Sequence, residues 1–322
     1  MIVAGIDVGG KNVHIAIKKD SQILRKAAGP TGIKKGEIVE QLYDEVLKKV
    51  GLTRKDVDRV MATGSAAKRV VFANGFVADV AADARGIIKL IPTARTVIDV
   101  GAEEARAIKV GADGKVLDFA VNERCAAGTG TFVEAMSRAL DVSVDEMSKI
   151  ALQSTRALSI NAQCAVFGES EVVSLIHQET SKPDIARAVM NAIAGRIASV
   201  ARIVGLDKDV VMVGGMAKNA GFIDSLKKSF EMDVLVPEDP DYVGALGAAE
   251  SALRGVMTEE ATRKGGRPYT AASDFSIERK TGCYCGMRIA ELKTRTNLPG
   301  SRCLQAAFPP SLPLSLDGRG IG

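Results

Sequence analysis

Two stretches of the chain carry the same succession of apolar runs and glycine turns. Residues 2–24 contain three short apolar runs, and the first of them ends in Asp-Val-Gly-Gly. Residues 96–117 contain three similar runs, and the first ends in Asp-Val-Gly-Ala. Short runs joined by tight turns predict a unit of three antiparallel strands in each stretch. The chain is therefore predicted to hold two related halves, with Asp7 and Asp99 at matching strand ends.

Between and after these units the apolar residues follow helical spacing. Residues 38–50 place apolar side chains three and four positions apart, and Gly51 is well placed to end that helix. A longer helix is predicted over residues 185–204, starting after Ser181 as the N-terminal cap and stopping at Gly205. Strands that alternate with helices in this way predict an α/β fold.

The same pattern predicts how the chain is divided. We expect one lobe over residues 1–95, a second lobe over residues 96–242 and a closing helix at about 243–255. Residues 256–322 contain five of the ten prolines and lose the periodicity, so they are predicted to form an appended tail with little regular structure.

Composition and charge narrow the functional classes. The chain has 322 residues and a net charge of +4, but the tail holds ten basic and six acidic residues. Residues 1–255 therefore carry 33 residues of each sign, which disfavours a nucleic-acid partner because phosphate binding needs a concentrated basic surface. The start of the chain has no basic leader and no apolar run reaches membrane-spanning length, so we expect a cytoplasmic protein without a membrane partner.

The two strand-end aspartates are candidates for phosphate chemistry. Glycines after a strand let backbone N–H groups approach phosphate oxygens, while the carboxylates of Asp7 and Asp99 could hold a hydrated divalent cation or orient an attacking water. Lys11 could reach a phosphate or be a solvated turn residue. The candidate positions in the two turns are Gly9, Gly10, Lys11, Asn12, Gly101 and Ala102.

A third glycine turn follows another buried run. Residues 209–213 read as a strand and lead into Gly214 and Gly215, where an adenine or ribose could lie against the backbone, although a plain strand-to-helix turn fits equally. The chain has no Gly-x-x-x-x-Gly-Lys-Ser/Thr sequence, which excludes a P-loop. Residues 128–130 lack the third glycine of a dinucleotide fingerprint.

Together these turns resemble those of the actin, Hsp70 and sugar-kinase superfamily of ATPases, over residues 1 to about 253. The resemblance implies two ribonuclease-H-like lobes that flank a nucleotide cleft and rotate relative to one another.

Two of the five cysteines lie in the main body. Cys125 and Cys164 each precede an apparent helix, and a helix N-terminus favours thiolate over thiol and suits an anionic metal cluster. Two buried structural cysteines are the alternative. The spacing of the tail cysteines matches no zinc or ferredoxin site, and they are expected to bind no metal: Cys283, Cys285 and Cys303.

The cysteine segments carry a more specific resemblance. Residues 124–130 and 164–172 closely resemble the cluster-binding segments of BadF/BadG/BcrA/BcrD-type ATPases, which include benzoyl-CoA reductase ATPase subunits and activators of 2-hydroxyacyl-CoA dehydratases. The resemblance implies one 4Fe-4S cluster shared by two protomers, each giving Cys125 and Cys164. It also implies a homodimer or a pseudo-symmetric heterodimer with a homologous ATPase subunit, CoA-ester-binding reductase or dehydratase subunits as partners, and a ferredoxin-like electron donor.

The same resemblance assigns the remaining groups. ATP and Mg²⁺ are the implied ligands of the cleft. It places the first phosphate motif at Asp7, Gly9 and Gly10, the second at Asp99 and Gly101, and the adenosine motif at Gly214, Gly215 and Asn219.

The chain departs from the usual activator pattern. Residues 101–104 read Gly-Ala-Glu-Glu where activators have Gly-Gly-Gln-Asp, which favours a benzoyl-CoA reductase ATPase subunit over an activator. Glu103 or Glu104 is then the candidate for positioning the attacking water. Two alternatives from other classes are a sugar or acetate-type kinase and a nucleotide sensor with inert cysteines.

Overall fold

The short apolar runs fold into two five-stranded sheets. The structure is a computed structural model that describes residues 1–122, 129–160 and 165–255. The first sheet contains β1 (Ile2–Val8), β2 (Asn12–Lys19), β3 (Gln22–Pro30), β4 (Arg59–Thr63) and β5 (Gly75–Phe76). The second contains β6 (Thr96–Val100), β7 (Ala105–Val110), β8 (Val116–Val121), β9 (Val210–Val213) and β10 (Val234–Leu235).

The two sheets have the same topology. The strand orders are β3-β2-β1-β4-β5 and β8-β7-β6-β9-β10. In each sheet the first strand is antiparallel to the second and parallel to the fourth. The predicted repeat is thereby confirmed, and the mixed sheets with their helices give the predicted α/β class.

Eight helices are found in the described part of the chain. They are α1 (Lys35–Lys49), α2 (Asp79–Leu90), α3 (Gly130–Ala139), α4 (Val144–Ala151), α5 (Ala165–His177), α6 (Lys182–Val204), α7 (Ala220–Phe230) and α8 (Val243–Leu253). The longest, α6, begins as predicted after Ser181, whose hydroxyl accepts a hydrogen bond from the Asp184 N–H, and ends at Gly205. Gly51 follows α1 with a φ of +70°, as a helix-ending glycine does.

The helices α2 and α8 lie between the two sheets. Helix α8 contacts β1, β2 and β4 of the first sheet, although it follows the second sheet in the chain, while α2 contacts β6, β7 and β8. The two helices also pack against each other, and one apolar cluster joins them to both sheets. All described residues belong to one unit, Met1–Thr281. The ends of both sheets are thus brought to a common place through this helix pair.

Some predictions fall on residues that the structure does not describe. Cys125, Cys164 and the tail 256–322 all lie outside the described residues. Among the helices of the described part, none is long and apolar enough to cross a membrane.

Candidate functional site

A cleft of about 310 Å³ lies where the strand ends of both sheets meet. Twelve of the residues predicted from the sequence line it: Asp7, Gly9, Gly10, Lys11, Asn12, Asp99, Gly101, Ala102, Glu103, Glu104, Gly214 and Gly215. The structure therefore brings all three glycine turns to one cavity, although they are far apart in the sequence.

Asn219 has a different place. It is the N-terminal cap of α7, where its side-chain oxygen accepts a hydrogen bond of 2.9 Å from the Phe222 N–H, and it is buried. It is not among the residues that line the cleft. The structure thus puts Asn219 behind the Gly214 turn, at the start of the helix that this turn leads into.

The two aspartate turns are closed in the same way. The Gly9 N–H donates to the Asn12 carbonyl oxygen at 3.0 Å, and the Gly101 N–H donates to the Glu104 carbonyl oxygen at 2.9 Å. Each turn leaves the residues between those two positions facing the cleft. The arrangement matches the way glycine turns present backbone N–H groups to phosphate.

The second turn is also fixed to the start of α3. The carbonyl oxygens of Gly101 and Ala102 accept hydrogen bonds of 2.9 and 3.0 Å from the N–H groups of Gly130 and Thr131. These donors belong to the first turn of α3, where N–H groups have no partner within the helix. Because α3 begins five residues after Cys125, the turn beside Asp99 is joined by backbone hydrogen bonds to the segment that follows this cysteine.

Each strand-end aspartate is paired with a glycine from the neighbouring parallel strand. Gly64, after β4, has a φ of +92°, and a Cβ there would collide with Asp7 Oδ1 and lie 2.6 Å from the Val8 oxygen. Gly214, after β9, has a φ of +82° and is placed in the same way against Asp99. These positions require glycine for both backbone angle and space. Gly64 is a site residue that the sequence pattern missed.

Burial and crowding of acids perturb the carboxylates. Burial, followed by the nearby carboxylates of Asp79 and Asp99, raises the pKa of Asp7 to about 7. Burial also raises the pKa of Asp83 and of Asp99. Asp79 and Asp83 both come from α2, and neither was predicted from the sequence. Perturbed carboxylates gathered in a cleft are typical of functional sites.

Arg106 offsets much of this negative charge. Its guanidinium forms ion pairs of 2.8 Å with Asp79, 2.9 Å with Asp99 and 2.8 Å with Glu104. Burial alone would lower the pKa of Arg106, but Asp99 and Asp79 outweigh it and raise that pKa above its ordinary value. Arg106 is thus a permanent cation inside the cleft, and it too was missed.

His14 occupies the equivalent position in the first half. It lies opposite Asp7 in the β1–β2 register, as Arg106 lies opposite Asp99. Its Nε2 is 3.4 Å from Asp241 Oδ2, and its ring meets Tyr242 edge to face. The sequence favoured a structural or solvated role for His14, and the structure places it at the cleft wall.

The remaining candidates divide across the cleft. Glu104 is held by Arg106, whereas the carboxylate of Glu103 lies directly over Gly10 of the opposite turn. Lys11 forms an ion pair with Glu134 on α3. The two turns therefore already touch in this structure, and of the two glutamates Glu103 is the one facing the opposite phosphate turn.

The geometry suits a nucleotide triphosphate with its cation. In the described part of the chain no three His, Cys, Asp or Glu side chains are arranged to hold a metal ion by themselves. Mg²⁺ needs less, since it usually keeps several waters and is bound by one or two carboxylates plus phosphate oxygens. Asp7 and Asp99 offer those carboxylates, and the buried Asp83 Oδ2 has no hydrogen-bond partner within the described residues.

Comparison with known proteins gives a family match and several relatives. A family model described as the BadF/BadG/BcrA/BcrD ATPase family matches residues 4–252. The chain is 36% identical to the activator of lactoyl-CoA dehydratase of Anaerotignum propionicum, over 77% of this chain and 96% of that one. It is 34% identical to the 2-hydroxyisocaproyl-CoA dehydratase activator of Clostridioides difficile (77% and 94%) and 32% identical to one of the benzoyl-CoA reductase subunits of Thauera aromatica (77% and 92%).

Solved structures give the same fold. The (R)-2-hydroxyglutaryl-CoA dehydratase component A of Acidaminococcus fermentans has a TM-score of 0.76 at 31% identity, over 82% of this chain and all of that one. The activator of 2-hydroxyisocaproyl-CoA dehydratase from Clostridium difficile, with bound ADPNP, has a TM-score of 0.74 at 31% identity, over 84% and 100%. A ROK family glucokinase from Streptomyces griseus reaches 0.51 at 14% identity, over 79% and 100%, a likeness of fold alone.

Proposed function

Because the chain belongs to the BadF/BadG/BcrA/BcrD ATPase family, we propose that it is an ATP-hydrolysing activator that delivers electrons to a 2-hydroxyacyl-CoA dehydratase. The sequence favoured a benzoyl-CoA reductase subunit because of residues 101–104. The comparisons favour the activator instead, since two relatives named as activators are more similar to the chain than the reductase subunit is. The departure at residues 101–104 is therefore compatible with the activator group.

One observation carries the proposal. The cleft joins two equivalent aspartate turns, and the second of them is hydrogen-bonded to the start of α3, just after the Cys125 segment. A nucleotide held between the turns would therefore act on the element that leads away from a proposed cluster ligand. A simple kinase cleft has no need of that connection.

In the proposed reaction, water attacks the γ-phosphorus of ATP and the bond to the ADP oxygen breaks. The glycine turns would bind the phosphates, and the carboxylates of Asp7 and Asp99 would hold the hydrated Mg²⁺ that neutralises phosphate charge. Glu103 is the proposed water-positioning group because it faces the opposite turn while Glu104 is engaged by Arg106. Phosphoryl transfer depends mainly on such positioning and on charge stabilisation.

The cysteines are proposed to hold the electron-transfer cofactor. A 4Fe-4S cluster, when bound, supplies one-electron reduction and takes four thiolates. Cys125 and Cys164 provide two per chain, so two protomers are needed. Both residues lie outside the described part, and their assignment rests on the sequence resemblance. A ferredoxin-like protein is the proposed source of each electron.

An exposed apolar surface supports the dimer. Helix α5 begins directly after Cys164, and Val166 and Phe167 in its first turn are 68% and 67% exposed. Val173 and Ile176 extend the apolar surface along the same helix. Contiguous apolar surface of this kind marks interaction sites. We propose that a second copy of the chain, or a homologous ATPase subunit, covers it.

Iron analysis tests the cofactor assignment. Anaerobically purified protein is expected to contain about four iron and four sulfide per dimer. Cys125→Ser or Cys164→Ser should lose the iron while still binding ATP, because neither residue is among those that line the cleft. Cys283→Ser is the matched control and should keep the full content. A colourless, iron-free wild-type protein would contradict the cofactor assignment.

Activation of a partner enzyme tests the substrate class. With ATP and a reduced ferredoxin, the protein is expected to activate an inactive 2-hydroxyacyl-CoA dehydratase, measured as dehydration of the acyl-CoA ester. ADP in place of ATP should give no activation, since hydrolysis drives the transfer. Support of benzoyl-CoA reduction together with failure on every dehydratase would reverse the choice between the two classes.

A further inference from the structure

Asp79 joins the two sheets through a single carboxylate. It is the first residue of α2. Its Oδ1 accepts hydrogen bonds of 2.7 Å from the Gly64 N–H and 3.0 Å from the Thr63 hydroxyl, both at the end of β4. Its Oδ2 is 2.8 Å from a guanidinium nitrogen of Arg106 on β7. One side chain thereby fixes the end of a strand in the first sheet to a strand in the second.

Arg106 continues the connection to Asp99. One terminal nitrogen of its guanidinium lies 2.8 Å from Asp79 and the other 2.9 Å from Asp99. The side chain is only 12% exposed. A guanidinium is planar and its donors form a rigid fork, so carboxylates bound at its two ends are held in a defined relation to each other.

The connection reaches Asp7 at its other end. Gly64, which donates to Asp79, has its Cα packed directly against the carboxylate of Asp7. A continuous path of contacts therefore runs from Asp7 through Gly64, Asp79 and Arg106 to Asp99. It links the two strand-end carboxylates across the cleft.

The repeat shows that the arrangement is not accidental. His14, opposite Asp7, reaches Asp241 just before α8, as Arg106, opposite Asp99, reaches Asp79 at the start of α2. The His14 contact is longer, at 3.4 Å, and it joins a neutral or singly charged ring rather than a fork. The pair formed by Asp79 and Arg106 is thus the firmer of the two equivalent connections.

We infer that Asp79 and Arg106 are a pair of positioning residues that set the separation of Asp7 and Asp99 across the cleft. This inference rests on the proposed ATPase function. Neither residue needs to touch the nucleotide. Their effect is on the placement of the carboxylates that would hold the cation, and small misplacements of such groups slow turnover more than binding.

A simpler role for Arg106 is the neutralisation of buried acids. Arg106→Lys separates the two roles, because lysine keeps the positive charge and lacks the fork that joins two carboxylates. Asp79→Asn keeps the Oδ1 acceptor for Gly64 and places an amide where Oδ2 faced the guanidinium. Both changes alter positioning with little change of volume.

The experiment is steady-state ATP hydrolysis by the full chain carrying Arg106→Lys, Asp79→Asn and both changes together. We expect kcat to fall roughly ten- to hundredfold in each single variant, with the KM for ATP within about threefold of wild type. Because the two residues act as a unit, the double variant should be no slower than the slower single variant.

A matched pair elsewhere in the chain provides the control. Arg187 on α6 is 11% exposed and forms an ion pair of 2.7 Å with Asp224, outside the cleft. Arg187→Lys and Asp224→Asn are expected to leave kcat and KM unchanged, and ATP-analogue binding establishes that every variant is folded.

Three results would overturn the positioning role. They are a wild-type kcat in Arg106→Lys, effects of the two single changes that multiply in the double variant, and a raised KM with unchanged kcat in Asp79→Asn. A wild-type protein that hydrolyses no ATP would overturn the proposed function, and the positioning role would fall with it. An active wild type with an equally active Arg106→Lys overturns the positioning role alone.

Discussion

Asp7→Asn is expected to stabilise the nucleotide-free protein and to abolish its ATP hydrolysis. Burial and the carboxylates of Asp79 and Asp99 raise the pKa of Asp7 from 3.8 to about 7. That difference corresponds to roughly 4 kcal/mol, by which the folded state disfavours the charged carboxylate. Since Asp7 keeps some access to solvent from the cleft, this value is an upper limit. Asparagine removes the charge and keeps the shape.

The sign follows from the direction of the shift. A carboxyl whose pKa is higher in the folded protein than in the unfolded chain is most stabilising when protonated. That contribution is complete below about pH 3.8 and is lost as the pH rises through about 7. The variant and the wild type should therefore be similar in stability near pH 4. Above pH 7 the variant should be more stable, by up to about 4 kcal/mol.

Urea unfolding at several pH values, without nucleotide or divalent cation, measures this difference. Asp113→Asn is a suitable control, because Asp113 is an exposed turn residue whose pKa is lowered by hydrogen bonds from Lys115. Its removal should not stabilise the protein at any pH. In the same samples the kcat of Asp7→Asn for ATP should be lower by about a hundredfold or more. Equal stability at pH 8, or wild-type hydrolysis, would contradict the role given to Asp7.

A gain of stability on losing activity has a physical basis here. Four carboxylates share the cleft with one permanent cation that contacts three of them: Asp7, Asp79, Asp83, Asp99 and Arg106. Such a cluster is costly in the empty protein and becomes favourable when a cation and a phosphate chain enter. The stability that the fold gives up at this site is therefore available for binding.

Local patterns were enough to predict the halves and the turns. Asp7 and Asp99 could be found because each ends an apolar run and precedes a glycine, and that signal occurs twice in the sequence. The hairpin pattern also contained the position of Arg106, since the register of β6 with β7 puts it opposite Asp99. Its importance was missed because two of its partners, Asp79 and Asp83, come from α2.

The missed residues share a cause. Helix α2 follows the first sheet in the chain but packs on the second, so no local pattern indicates that its N-terminus enters the cleft. Gly64 was overlooked because a lone glycine after a strand is a common turn signal, and its contact with Asp7 depends on strand pairing. Asn219 had a local signal, since an Asn three residues before a helical N–H is a typical cap.

The close crossing of α2 and α8 leads to the second large effect. Gly247 on α8 lies against α2, where a Cβ would collide with the Ala82 carbonyl oxygen. The same Cβ would be 2.5 Å from the carbonyl carbon of Ala82 and 2.9 Å from the Gly86 nitrogen. All of these neighbours are backbone atoms, so no side chain can rotate to make room. The two helices must separate before any larger residue fits.

Gly247→Ala is therefore expected to destabilise the protein by about 3 kcal/mol or more, in spite of the better helix propensity of alanine. Gly195→Ala on α6 is the matched control, because no atom lies within 4 Å of its added Cβ. That change should stabilise by about 0.5 to 1 kcal/mol. Urea unfolding of the two variants measures a difference of opposite sign for the same substitution. If Gly247→Ala were as stable as the control, the two helices could move apart at little cost, and the sheets would not be held at a fixed distance by this crossing.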